Sequence, residues 1–289
     1  MSQDFIEDWI RRVTEASQPF VQQNGPHGWL LKQSIFTHFQ RLTTLLAMPW
    51  FQTLRGSVLD VGAGTGALSL DLAWRMGAEG RVTAVDRDAQ ALAIAHALAA
   101  RTGVEIATAA GDATALPADD ATQDLTIARF LFQHLSDPAR ALAEMRRTTR
   151  PGGRIVVIDV DDGTLLSEPA GSPQLTALRA AIRTLQARRG GNRLIGRRLY
   201  RLMRDSALVN IQVIVIPRVQ LGVQNGRYPE AETYQLERLR KEREALIESG
   251  LMTAAEFATA LAETEKGFAE DRFEMEAEFI ATGIVPASR

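Results

Sequence analysis

The chain of 289 residues contains no cysteine. That absence removes disulfides, thiolate nucleophiles and cysteine-ligated zinc or iron–sulfur sites together. Lysine is nearly as scarce, standing only at Lys32, Lys241 and Lys266, so arginine carries almost all of the positive charge. The formal net charge is −2, which gives no overall attraction to nucleic acid or to anionic lipid. No apolar run approaches the ~18 residues of a membrane span. The opening "MSQDFIEDWIRRVTEASQPF" carries acids where a secretory leader has an unbroken apolar stretch. A cytoplasmic protein with no membrane partner is expected.

What is present is a hydrophobic fraction of 45%, enough for a full core. Strand-like runs alternate with helical ones: "SVLDVG" (57–62), "RVTAVD" (81–86), "VEIATAAGD" (104–112), "DLTIARF" (124–130) and "RIVVIDV" (154–160). Between them lie alanine- and leucine-rich stretches, one capped by Asp88 and one by Asp137 with Pro138 at its first position. Alternating units of this kind predict an α/β fold whose doubly wound parallel sheet is covered on both faces. "VNIQVIVIPRVQL" (209–221) is a further strand. In "RFEMEAEFIATGIV" (272–285), Phe273, Met275, Ala277 and Phe279 alternate with Glu274, Glu276 and Glu278, the period of an antiparallel strand with one wet face. Residues 1–55 read as a helical cap or lid and 56–289 as the main domain. Helical inserts are expected at about 163–205 and 230–268.

"GAGTGA" puts Gly62, Gly64 and Ala67 at the spacing of a dinucleotide fingerprint, which makes an NAD-dependent oxidoreductase the first alternative. Asp60 argues against it. A strand packed between helices does not bury a carboxylate without a partner, and a pyrophosphate would repel one. A ligand with an ammonium and a sulfonium would suit it better.

"LDVGAGTG" resembles the first motif of class I S-adenosylmethionine-dependent methyltransferases, and the other motifs follow in order. "VTAVDRD" ends the second strand with Asp86 and Arg87, "AAGDATALP" ends the third with Asp112 and Ala113, and "DLTIARFLFQHLSDP" and "RPGGRIVVID" resemble the fourth-strand motif and the fifth-strand entry. The resemblance implies a Rossmann-like seven-stranded sheet of order 3-2-1-4-5-7-6, the last strand antiparallel and preceded here by an unusually long helical insert. It implies S-adenosyl-L-methionine as cofactor and S-adenosyl-L-homocysteine as product. Asp60, Gly62, Ala63, Gly64, Asp86, Arg87, Asp112, Ala113 and Arg129 are the expected cofactor contacts. Asp86 would accept from the ribose diol and Asp112 from the adenine amino group. Arg129 is read equally well as a surface ion pair.

His134, in "QHLSDP", is the candidate catalytic residue, as a base or substrate contact; bracing the loop is the plainer role. His27 and His38 stand in an aromatic N-terminal stretch that either packs as a lid or walls the acceptor site, and His96 reads as structural. Asp159, Asp161 and Asp162 suit turns and caps better than substrate or metal, and no metal is expected. Arg193, Arg197, Arg201 and Arg204 recur at helical spacing, as a solvated helix face or a contact for an anionic acceptor or partner. "GNR-IGRRL" also resembles small-molecule members near the ubiquinone and menaquinone C-methyltransferases. The N/D-P-P-Y/F motif of amino-methylating nucleic-acid enzymes does not occur, and without cysteine neither the cytosine-C5 mechanism nor thiol-dependent arsenite methylation is available. A small-molecule acceptor is therefore expected. The insert's Leu236, Leu239, Leu246 and Leu251 read as lid or core before a homodimer seam. A homologue that keeps the cofactor without transferring methyl stays open.

Overall fold

The computed structural model describes residues 3–22, 25–221, 229–269 and 272–287. The apolar runs read as parallel strands pair as such: β1 (Gly56–Val61), β2 (Gly80–Asp86), β3 (Ala107–Ala110), β4 (Gln123–Arg129) and β5 (Thr149–Val160). β7 (Val209–Leu221) and β8 (Phe273–Ile284) complete the sheet, with β8 between β5 and β7 and antiparallel to both. Over the long strands this is the order 3-2-1-4-5-7-6 anticipated above. The sheet has eight strands, however, not seven. The extra one, β6 (Leu166–Glu168), continues the line of β5 along β8 and is too short to show a period.

Alternation sorts the strands into two cores. Val58, Ile127, Ile158 and Ile280 face Trp9, Leu42 and Phe51 of the N-terminal helices α1 (Gln3–Val21), α3 (His38–Leu46) and α4 (Pro49–Gln52). The same core takes in Leu70 of α5 (Ala67–Met76) and Leu92 of α6 (Ala89–Thr102). Leu59, Val61, Ala128, Val157 and Ala281 face Leu142 and Met145 of α7 (Pro138–Thr148) on the other side. The predicted caps are in place: Asp88 accepts from the main chain of Gln90 and Ala91, and Asp137 from Arg140.

A third core was not foreseen. α8 (Pro173–Arg188), α10 (Pro229–Glu248) and α11 (Ala254–Ala269) bury Leu178, Leu185, Leu239, Leu246 and Phe257 together. The second insert is thus a helix pair, turned at Gly250 and restarted by the reciprocal Thr253–Glu256 capping box, and it packs on the first insert. Leu236, Leu239 and Leu246 are buried by this chain itself. Among the described residues, no helix is long and apolar enough to cross a membrane.

Candidate active site

The glycine turn leaves β1 and bends over the end of β2. The N–H groups of Gly62 and Ala63 donate to the Val85 carbonyl at 2.8 and 3.0 Å. Gly64, at φ 54°, donates its N–H to Asp86 Oδ2 at 2.8 Å, and a Cβ there would meet nothing within 4 Å. The turn therefore presents bare backbone to open space. Gly66 has another reason to be glycine: at φ 81° it caps α5, and a Cβ would lie 2.6 Å from Ala95 of α6.

Asp86 holds the turn with one oxygen and takes the N–H of Asp88 at 2.9 Å with the other, leaving lone pairs for a diol. Across the next strand gap, Asp112 accepts from the Thr114 hydroxyl and N–H at 2.6 and 2.7 Å. Those bonds, with the nearby Arg87 charge, hold its carboxyl below the ordinary range. Asp112 and Arg87 are exposed, and Ala113 is half-buried. The structure thus gathers Gly62, Ala63, Gly64, Asp86, Arg87, Asp112 and Ala113 along one sheet edge. His27 Nε2 lies 2.8 Å from Asp88 Oδ2, so α2 (Pro26–Phe36) closes over this edge. Nothing local to His27 in the chain points to that partner.

Beyond β4 the chain turns through Phe130, at φ 56°, into a single 3₁₀ turn, Phe132–His134. The His134 ring keeps an edge in solvent, with Nδ1 3.4 Å from Gln186 Nε2. Burial of its remainder, then the charges of Arg193 and Arg87, lower its pKa below 6.5. Asp159 braces this turn from below: fully buried, it accepts the Gln133 N–H at 3.1 Å, and burial pushes it up to about 7. The neighbouring acids are taken by arginines. Asp162 receives Arg193 at 2.5 and 2.9 Å, and Asp161 receives Arg197 at 2.7 Å through two nitrogens. The arginine stripe is accordingly not one helix face, because α9 (Leu199–Asp205) begins only after Arg193 and Arg197 have been used. Among the described residues, no three His, Asp or Glu side chains are grouped to hold a metal.

Asp60 and Arg129 point to the face under the N-terminal helices. Asp60 is 1% exposed and accepts the Ser69 hydroxyl at 2.5 Å, so the fold itself supplies the partner expected of a ligand. Burial pushes its pKa up to about 7. Arg129 is no surface pair, contrary to that alternative reading. It is largely buried, 3.4 Å from Glu278 Oε1 and stacked 3.9 Å over the Phe130 ring. Beside it, Asp71 of α5 receives Trp9 Nε1, His38 Nε2 and Arg41 Nε at 2.9, 2.8 and 2.7 Å. Burial works against that charge, yet Arg41 and His38 hold Asp71 well below the usual carboxylate range.

Residues 58–153 match the family model described as methyltransferase domain. Over those residues the chain is similar to a methyltransferase domain. A ubiquinone/menaquinone biosynthesis C-methyltransferase of Bdellovibrio bacteriovorus is 36% identical over 102 residues, 35% of this chain and 43% of that protein. The chain thus spans less than half the length of this relative. Among solved structures, a putative methyltransferase from Bacillus halodurans superposes with a TM-score of 0.57 at 16% identity, covering 86% of this chain and all of the other. The 4+2 cyclase SpnF superposes at 0.51 with 24% identity, over 86% of this chain and 82% of its own. These likenesses show a shared fold.

Proposed function

We propose that the chain transfers a methyl group from S-adenosylmethionine to an O, N or C atom of a small organic molecule. The observation that carries this reading is the open Gly64 turn held by Asp86, with Asp112 at the adjoining strand tip. When bound, S-adenosylmethionine supplies an electrophilic methyl on a sulfonium. Asp86 would take the ribose hydroxyls and Asp112 with Ala113 the adenine, while Gly62, Ala63 and Gly64 would hold the amino-acid end. The donor set fits: carboxylates at the two strand tips suit a ribose diol and an adenine amine. Positioning supplies much of the rate, since a methyl on sulfonium needs alignment in a dry site more than covalent help. His134, whose pKa burial lowers, would accept a proton from an acceptor that must lose one.

Residues 1–55 act in this reading as a cap over the domain formed by 56–289. The test is calorimetric titration with S-adenosylhomocysteine and with NAD, followed by transfer of labelled methyl into a metabolite extract. Binding of the first alone, with label passing to a small molecule, is expected; binding of NAD alone overturns the proposal. A second reading, retained cofactor without methyl transfer, is favoured by the cyclase that shares this fold. Tight S-adenosylhomocysteine binding with no labelled product would select it.

A further inference from the structure

On the face beneath the N-terminal helices, the apolar rows of three strands end in a charged residue. Ile127 leads to Arg129 on β4, Ile280 to Glu278 on β8, and Ile216 to Arg218 on β7. Arg129 and Arg218 converge on one atom, Glu278 Oε1, at 3.4 and 3.2 Å. Glu276, at the rim, is 3.8 Å from Arg218. Arg41, its side chain 1% exposed, spends one nitrogen on Asp71 and one on the Ser34 carbonyl. Among the described residues, the guanidinium nitrogens Arg41 Nη2 and Arg218 Nε are buried without a hydrogen-bond partner.

Three guanidiniums are thus gathered against Asp71, Glu278 and, at the rim, Glu276, and Asp71 already serves His38 and Trp9. Asp60, on the same face, is held toward its neutral form by burial and adds less than a full charge. Buried cations with unused N–H groups are costly unless an anion completes them, and a guanidinium's planar fork matches an oxyanion. Resting on the methyl-transfer reading above, we propose that the acceptor carries an oxyanion, a carboxylate or phosphate, received by Arg129 and Arg218 with Arg41 behind them. The direction of the cluster assigns it to the acceptor. Neighbouring strands lie ~4.8 Å apart, and the cluster runs from β4 through β8 to β7, away from Asp86 and Asp112 on β2 and β3. Register sets Val61 beside Ala128, so Arg129 stands level with Gly62, and an anchored acceptor would begin next to the cradle.

The experiment is calorimetric titration of inorganic phosphate, and separately of acetate, onto the full chain saturated with S-adenosylhomocysteine at fixed ionic strength. Saturable binding is expected, weakened at least tenfold by Arg218→Gln and partly restored by Arg218→Lys, with S-adenosylhomocysteine affinity unchanged in both. The tighter of the two anions names the group. Absence of saturable binding to the unmodified chain overturns the proposal, as does equal binding by Arg218→Gln. Competition between phosphate and S-adenosylhomocysteine also overturns it, by giving the cluster to the cofactor. Should Arg218→Gln fail to fold, Arg129→Gln takes its place, with phosphate binding again weakened at least tenfold. If S-adenosylhomocysteine itself does not bind, the methyl-transfer reading fails, and phosphate titration of the free chain still decides whether the anion site exists.

Discussion

Two aspartates illustrate how burial sets the chemistry of single residues. Asp60 is raised from 3.8 to about 7, so the folded chain holds a proton that the unfolded chain has released. Stability from this group is full below the unfolded value, declines as pH rises between about 4 and 7, and is level above. Asp60→Asn removes that dependence. Urea unfolding should show it more stable than the parent at pH 8, by about 1.4 kcal/mol for each pH unit between the unfolded and folded values. At pH 4 the gain should vanish, and an equal gain at both pH values would contradict the assignment. Asp86→Ala acts on binding instead. It frees the Gly64 N–H and removes the proposed diol acceptor, so S-adenosylhomocysteine affinity should fall by roughly 10- to 100-fold in calorimetry. Asp86 and Asp112 were legible in the sequence because a strand and its following turn are local. The Arg129 partner was not, because Glu278 lies 149 residues away and meets it only through the sheet.

Elements were read well where a local signal ends them. Asp88, Asp137 and Pro138 mark helix starts that the structure keeps. The arginines at 193, 197, 201 and 204 misled because helical spacing alone does not require a helix. Gly190, Gly191 and Gly196 interrupt the backbone, and the acids after β5 claim the first two arginines. β6 gave no period to read. At the α5 start the sequence and structure agree on glycine, and the cost of changing it follows from geometry. Gly66→Ala forces a left-handed cap on a side chain and presses it against Ala95, so a loss of roughly 1–3 kcal/mol is expected. Thermal unfolding against the parent measures it; an unchanged midpoint would mean that α5 and α6 can separate freely.

At the scale of the molecule, two excursions distant in sequence share one small core of α8, α10 and α11. Each insert alone reads as an amphipathic helical stretch, and nothing local says that they meet. Phe257 is 1% exposed there, and Phe257→Ala should cost roughly 3–5 kcal/mol of that cluster's stability. Hydrogen exchange should report the loss in α8, α10 and α11, while the glycine turn keeps its protection and S-adenosylhomocysteine its affinity. Loss of cofactor affinity would show the inserts and the cradle to be one cooperative unit.

The placement of β8 between β5 and β7 has a consequence for how the chain is made. β7 leaves the ribosome first, yet among the described residues its only strand neighbour is β8, which follows after all of α10 and α11. Until Phe273–Ile284 is translated and slots in as a keystone, β7 has no described strand to pair with, and Ile214 and Ile216 wait on an orphaned ribbon. A nascent chain arrested ahead of Phe273 therefore forfeits three strands rather than one, since β6 too pairs with β8, and offers a chaperone an unpaired edge to hold.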